Sequence, residues 1–129
     1  CYAHQLIAKI FAGEVSYLNK DKSKYKGVRK TFVVKGSPLY GFVYDGMLAY
    51  SHSECVSKCP LGMRPLLFSK GLDCAALYHT RYPIWTFQGH LEADEFFCSQ
   101  HGISKRDCSK ISTLGVDIIK NFFTNILST

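Results

Sequence analysis

No apolar run in this 129-residue chain approaches the length of a bilayer-spanning helix, which excludes a helical membrane anchor within it. Nor is there a G-x-S-x-G elbow or a Gly-rich phosphate loop, so neither a serine-hydrolase frame nor a nucleotide cradle is on offer. Acidic side chains are scarce: ten Asp and Glu face sixteen Lys and Arg, for a net charge of +6. What is present is an ordinary globular composition, 47% hydrophobic and 20% charged, which argues against disorder and fits one compact domain.

The basic excess is concentrated. Between Lys20 and Lys35 stand seven basic residues and one acid, in "KDKSKYKGVRKTFVVK". Such a stretch suits phosphate backbones, an acidic protein surface, or a solvated loop that keeps the protein soluble. Six cysteines, Cys1, Cys55, Cys59, Cys74, Cys98 and Cys108, are many for this length and suggest an oxidising compartment, with pairings the sequence leaves open. The opening "CYAHQLIAKIF" has no basic segment ahead of an apolar stretch, so it reads as a mature secreted form.

Periodicity sets the expected elements. Leu6, Ile7, Ile10, Phe11, Val15 and Leu18 fall at helical spacing from His4 to Leu18, with Gly13 a weak point. "KTFVVK" and "LYGFVY" read as strands around Gly36-Ser37-Pro38, "MLAYS" as a short strand, and "HSECVSKCPLGM" as a long loop. Arg64 to Phe68 and Leu72 to Thr80 form a hairpin around Ser69-Lys70-Gly71, followed by weaker strands at "IWTFQ" and "EFFC". Ile111, Leu114, Ile118, Phe122 and Ile126 predict a closing helix over Ser109 to Leu127. The expected class is α+β: an N-terminal helix packed on an antiparallel sheet, with an extra C-terminal helix.

Three chemistries can be weighed. His52, Cys55 and Cys59 form H-x2-C-x3-C, with Cys74, His79 or His90 as a possible fourth ligand, but the spacing is not a tight zinc pattern, so no metal is expected and disulfides account better for the cysteines. No cysteine stands in a recognisable catalytic frame. General acid-base work centres on His79: strand alternation puts Asp73, Ala75, Leu77 and His79 on one face, which is open if the other packs on a helix.

The order of these pieces resembles the small secreted guanyl-specific ribonucleases of moulds. There a cysteine precedes one helix, followed by P-H-K-Y, Y-E-W-P-I, D-R-V-V-F, I-T-H-T and F-V-E-C; here Cys1, a helix, "KSKY", "LYGFVY", "MRPLLF", "LYHT" and "EFFC" run in that order. The chain is most similar to the non-catalytic relatives among powdery mildew haustorial effectors. That resemblance implies a ribonuclease-like domain over residues 1–98 and a helical extension of it over 99–129. It places Arg64 and His79 at the phosphate-holding and acid positions, Gly41 where the base glutamate stands, Ser23 where the loop histidine stands, and Asp21 where a phosphate-contacting tyrosine stands. A general base contributes about 10²–10⁴-fold and glycine has no side chain, so the expectation is a pseudo-ribonuclease without catalytic residues or cofactor. Glu54, Glu92 or Glu95 acting as a relocated carboxylate is the rival, an active ribonuclease or ribotoxin.

The resemblance further implies a secreted virulence effector, a monomer, acting in the plant cytoplasm or nucleus and open to recognition by an immune receptor. Host RNA or protein would be gripped through Lys22, Lys24, Tyr25, Lys26, Arg29, Lys30, Tyr44, Arg64 and His79. It implies a Cys1–Cys98 bridge, leaving Cys108 to join Cys55 or Cys59, and Cys74 as a buried thiol.

Overall fold

The computed structural model describes residues 1–125. The chain opens with helix α1 (Tyr2–Ile10), then β1 (Glu14–Tyr17), β2 (Tyr25–Val33), β3 (Gly46–His52), β4 (Glu54–Lys58), β5 (Met63–Ser69), β6 (Leu72–His79) and β7 (Trp85–Phe87). Helices α2 (Glu95–Gln100), α3 (Lys105–Cys108) and α4 (Leu114–Asn125) close it. Five strands form one sheet in the order β3-β2-β5-β6-β7, and β1 pairs with β4 beside it. Every strand pairing among the described residues is antiparallel.

Strand β2 is the spine. Its residues Tyr25 to Thr31 pair with β3, and Phe32 and Val33 then pair with β5. The "KTFVVK" expectation therefore caught only its end, because lysines on the exposed face masked the strand character of Tyr25 to Lys30. The β5–β6 hairpin forms around Gly71, whose φ of 74° is the left-handed conformation such a turn requires.

Four other elements differ from the periodicity. The first helix stops at Ile10, not Leu18, because Ala12 takes φ 66° and Val15 joins β1 opposite Val56. "LYGFVY" is a series of turns: Gly41 has φ 87°, and Leu39 and Val43 are buried by a loop rather than by a strand. "HSECVSKCPLGM" contributes β4. "EFFC" is helical because Asp94 caps it, its carboxylate accepting from the Phe97 N–H at 2.9 Å.

The last helix begins at Leu114, and Ile126 and Leu127 lie outside the described residues. Leu114 and Ile118 bury against Leu48, Tyr50 and the inner face of the five-stranded sheet. A second cluster joins Ala8 of α1 to Val56, Met63, Cys74 and Leu77, and a third holds Ala49, Cys98 and Ile103. Among the described residues no helix is long and apolar enough to cross a membrane.

Candidate active site

The end of β7 turns back under the start of α1. The Cys1 backbone nitrogen lies 2.9 Å from the carbonyls of both Phe87 and Gln88, which fixes α1 beside the segment that follows β7. Further along that segment, the His90 N–H donates to Ala49 O at 2.9 Å, tying it to β3. The His90 ring packs on Phe97 of α2 with centroids 4.4 Å apart, and its Nδ1 donates to a Glu92 carboxylate oxygen at 2.8 Å. With Nδ1 so engaged, Nε2 is the basic nitrogen.

Cys1, His90 and Glu92 line one cavity of about 440 Å³. A thiol, an imidazole and a carboxylate holding that imidazole are the parts of a covalent acyl-transfer site. Among the described residues no hydrogen bond joins the Cys1 thiol to the imidazole. An adjoining cleft shares Cys1 and His90 and adds His52, Gln88 and Lys24. His52 Nδ1 donates to Glu54 O at 2.8 Å, leaving Nε2 an acceptor, and that atom and Gln88 Nε2, a donor, are both buried without a partner. Burial holds the His52 ring below the usual histidine pKa, so it is neutral near pH 7.

The residues expected to carry function lie elsewhere. Met63 pairs with His79 and Arg64 with Tyr78, so Arg64 and His79 occupy successive register positions and point to opposite faces of the hairpin. Arg64 is exposed, whereas His79 is buried between Phe11 and Tyr82, at centroid distances of 5.1 and 4.8 Å. Its Nδ1 accepts from the N–H groups of Arg81 and Tyr82, so the ring fastens the turn after β6 and faces no open surface. Gly41 sits in its turn among Val33, Tyr40, Val43 and Tyr44, and no acid-base pair with His79 forms. Ser23 accepts from Asn19, and Asp21 accepts from the Ser23 N–H, which closes an exposed loop.

The basic residues do not form one face with both tyrosines. Lys22 lies over Tyr17; Lys30 lies over Phe32; Lys26 approaches Gly102 after α2. Arg29 sits over Tyr25 and donates to Lys70 O. Tyr25 pairs with His52 at one end of the β2–β3 ladder, whereas Tyr44 precedes β3 at the other end. All six cysteines are thiols, Cys74 a buried one, and neither Cys1–Cys98 nor a bridge from Cys108 to Cys55 or Cys59 is formed. Among the described residues no group of three His, Cys, Asp or Glu side chains converges as metal ligands.

The model of the class-I glutamine amidotransferase family matches residues 1–99. The chain is 30% identical over 103 residues to a glutamine-hydrolysing GMP synthase component of Archaeoglobus fulgidus, covering 80% of this chain and 54% of that protein. Against the Pyrococcus furiosus protein of the same name the identity is 29% over 122 residues, covering 95% and 55%. Among solved structures, a Thermoplasma acidophilum protein provisionally assigned to the same GMP synthase component aligns with a TM-score of 0.69 at 21% identity, over 97% of this chain and 54% of that one. A glutamine amidotransferase of Methylobacillus flagellatus aligns with a TM-score of 0.61 at 18% identity, over 95% and 55%.

By the family match, the chain belongs to the class-I glutamine amidotransferases. It spans about half the length of the curated relatives it matches. The expected ribonuclease-like fold and the effector, virulence and RNA-binding readings built on it are corrected accordingly, as no ribonuclease appears among these matches. The non-enzyme reading loses its ground twice: the relatives are named as glutamine-hydrolysing, and Gly41 does not occupy a site with His79. Family and chemistry remain separate findings. Membership rests on the sequence match, whereas the site shows a cysteine, a histidine and a carboxylate around one cavity without a formed thiol–imidazole contact. His90 was legible only as a candidate metal ligand and Glu92 only as a relocated carboxylate, because nothing local in the sequence announces that residues 1 and 90 meet.

Proposed function

We propose that the chain takes part in glutamine amide hydrolysis, as a portion of an amidotransferase of the GMP synthase kind. One structural observation supports the chemistry: Cys1, His90 and Glu92 border a single cavity, with the His90–Glu92 hydrogen bond at 2.8 Å already made. In this reading His90 Nε2 takes the Cys1 proton and the thiolate attacks the carboxamide carbon. The C–N bond then breaks, ammonia leaves with the proton from His90, and water hydrolyses the thioester to release glutamate. The unpartnered amide N–H of Gln88 is the donor on hand for the carbonyl oxygen, and charge developing there is where such donors count most. The curated relatives are named as one component of a larger synthase, so assembly with a second chain belongs to the same reading.

Ammonia release from glutamine tests it. Turnover by the chain should fall by about 10²–10⁴-fold in Cys1→Ala and in His90→Asn, and less in Glu92→Gln, which keeps an acceptor for the imidazole N–H. Absence of ammonia above buffer from the unmodified chain, or full activity in Cys1→Ala, would overturn it.

A further inference from the structure

Two pairs of thiols stand together away from Cys1. Cys98 lies in α2 and Cys108 at the end of α3; the two pack in one cluster, and both border a cavity of about 490 Å³ with Ile103. Cys108 is partly exposed and also donates to Asp94 O at 3.7 Å, while Cys98 is buried. Cys59 follows β4 and Cys74 lies in β6, and these two pack in one cluster, with Cys59 partly exposed and donating to Met63 O at 3.2 Å and Cys74 buried. Each pair sits within one packed cluster, the first with Ala49 and Ile103, the second with Met63 and Leu77.

The geometry points to two disulfide modification sites, Cys59–Cys74 and Cys98–Cys108, each built from a partly exposed thiol that meets the oxidant and a buried thiol that resolves the intermediate. The oxidant is a small-molecule disulfide. The outer thiolate attacks one of its sulfurs, the oxidant's S–S bond breaks and one thiolate leaves; the inner sulfur then attacks the mixed disulfide and expels the second. Two protein thiols lose two protons and two electrons, and the oxidant is reduced to two thiols. Cys1 and Cys55 stand outside both pairs, so this assignment is independent of the hydrolysis reading.

The rate of the inner step carries a signature. Burial pushes the Cys74 and Cys98 thiols up to about 12. Cys98 shares its cavity with Cys108, Glu95 and Lys105 and feels Asp94 as well, while Cys59, Asp73 and Cys55 bear on Cys74. Bridge closure should therefore accelerate with rising pH across the range from about 7 to 9.

The test incubates the whole chain with oxidised glutathione, alkylates the remaining thiols and maps peptides without reduction. Peptides linked through 59–74 and 98–108 are expected, with a mass loss of two hydrogens per bridge and with Cys1 and Cys55 alkylated. In Cys108→Ser the 98–108 link should vanish while 59–74 persists; in Cys59→Ser the reverse should hold. Alkylation of all six cysteines after oxidation, or a dominant link joining Cys1 to Cys98, would overturn the assignment.

Discussion

His4 shows how one buried polar group can make the fold pH-dependent. Its ring is 1% exposed, with Nδ1 at 2.7 Å from Thr86 Oγ1 and Nε2 at 3.0 Å from Cys74 O, and burial lowers its pKa to about 3. A histidine held neutral when folded, but titrating near 6.5 when unfolded, binds its proton preferentially in the unfolded state. Its contribution is fully present above about pH 6.5 and is lost as pH falls from there toward about 3. The loss should reach a few kcal/mol at the acid end, since each pKa unit is worth about 1.4 kcal/mol. Urea midpoints measured between pH 7 and 4 should fall steadily, and His4→Gln, which keeps a donor and an acceptor but does not titrate there, should flatten the curve. An unchanged curve in that variant would assign the acid sensitivity to other groups.

Secondary-structure elements were legible where pattern and burial agreed, and illegible where they parted. The β5–β6 hairpin reads directly from two apolar runs about a Lys-Gly turn, and the structure has it. "LYGFVY" has strand composition, yet Leu39 and Val43 are buried at a spacing of four while Tyr40, Phe42 and Tyr44 stay exposed, so the segment winds instead of extending. "EFFC" misleads in the same way: its aromatics suggest a strand, but the Asp94 cap that decides for helix was already written in "ADEFF". Partnership across ninety residues, as between Cys1 and His90, has no local signature because β7 brings it about. Helix α4 docks through Leu114 and Ile118, exposed to 2% and 1%. Ile118→Ala should therefore cost about 2–5 kcal/mol, the range for emptying a buried aliphatic site, and should lower the denaturation midpoint without changing strand content by circular dichroism. The exposed Val116→Ala should cost well under about 1 kcal/mol by the same assay.

For the whole molecule, family membership and physical organisation give different kinds of information. The family match covers residues 1–99, whereas the hydrophobic clusters extend past it: Ile103 packs with Cys98, and Leu114 and Ile118 with the main sheet. The described chain thus buries its last helices into the same core as its strands, and removal of residues 109–129 should expose Leu48 and Tyr50 and favour unfolding over a smaller folded unit. Loss of cooperative melting in that truncation is the expected result; a sharp transition at the original temperature would refute it. Oxidation acts in the opposite direction. Closing the two short loops, at about 3 kcal/mol each in the chain-entropy model, should raise the urea midpoint of the oxidised chain above that of the reduced one. A reducing agent should return it to the starting value.

Strand β2 hands its hydrogen bonds from β3 to β5 part-way along its length, between Thr31 and Phe32. While that strand holds both partners, β3 and β5 stay joined through it, so its middle amides should be among the slowest to exchange with solvent. Deuterium uptake at Gly27 to Thr31 would then time the parting of β3 from β5, with Lys20 to Lys24 labelled long before.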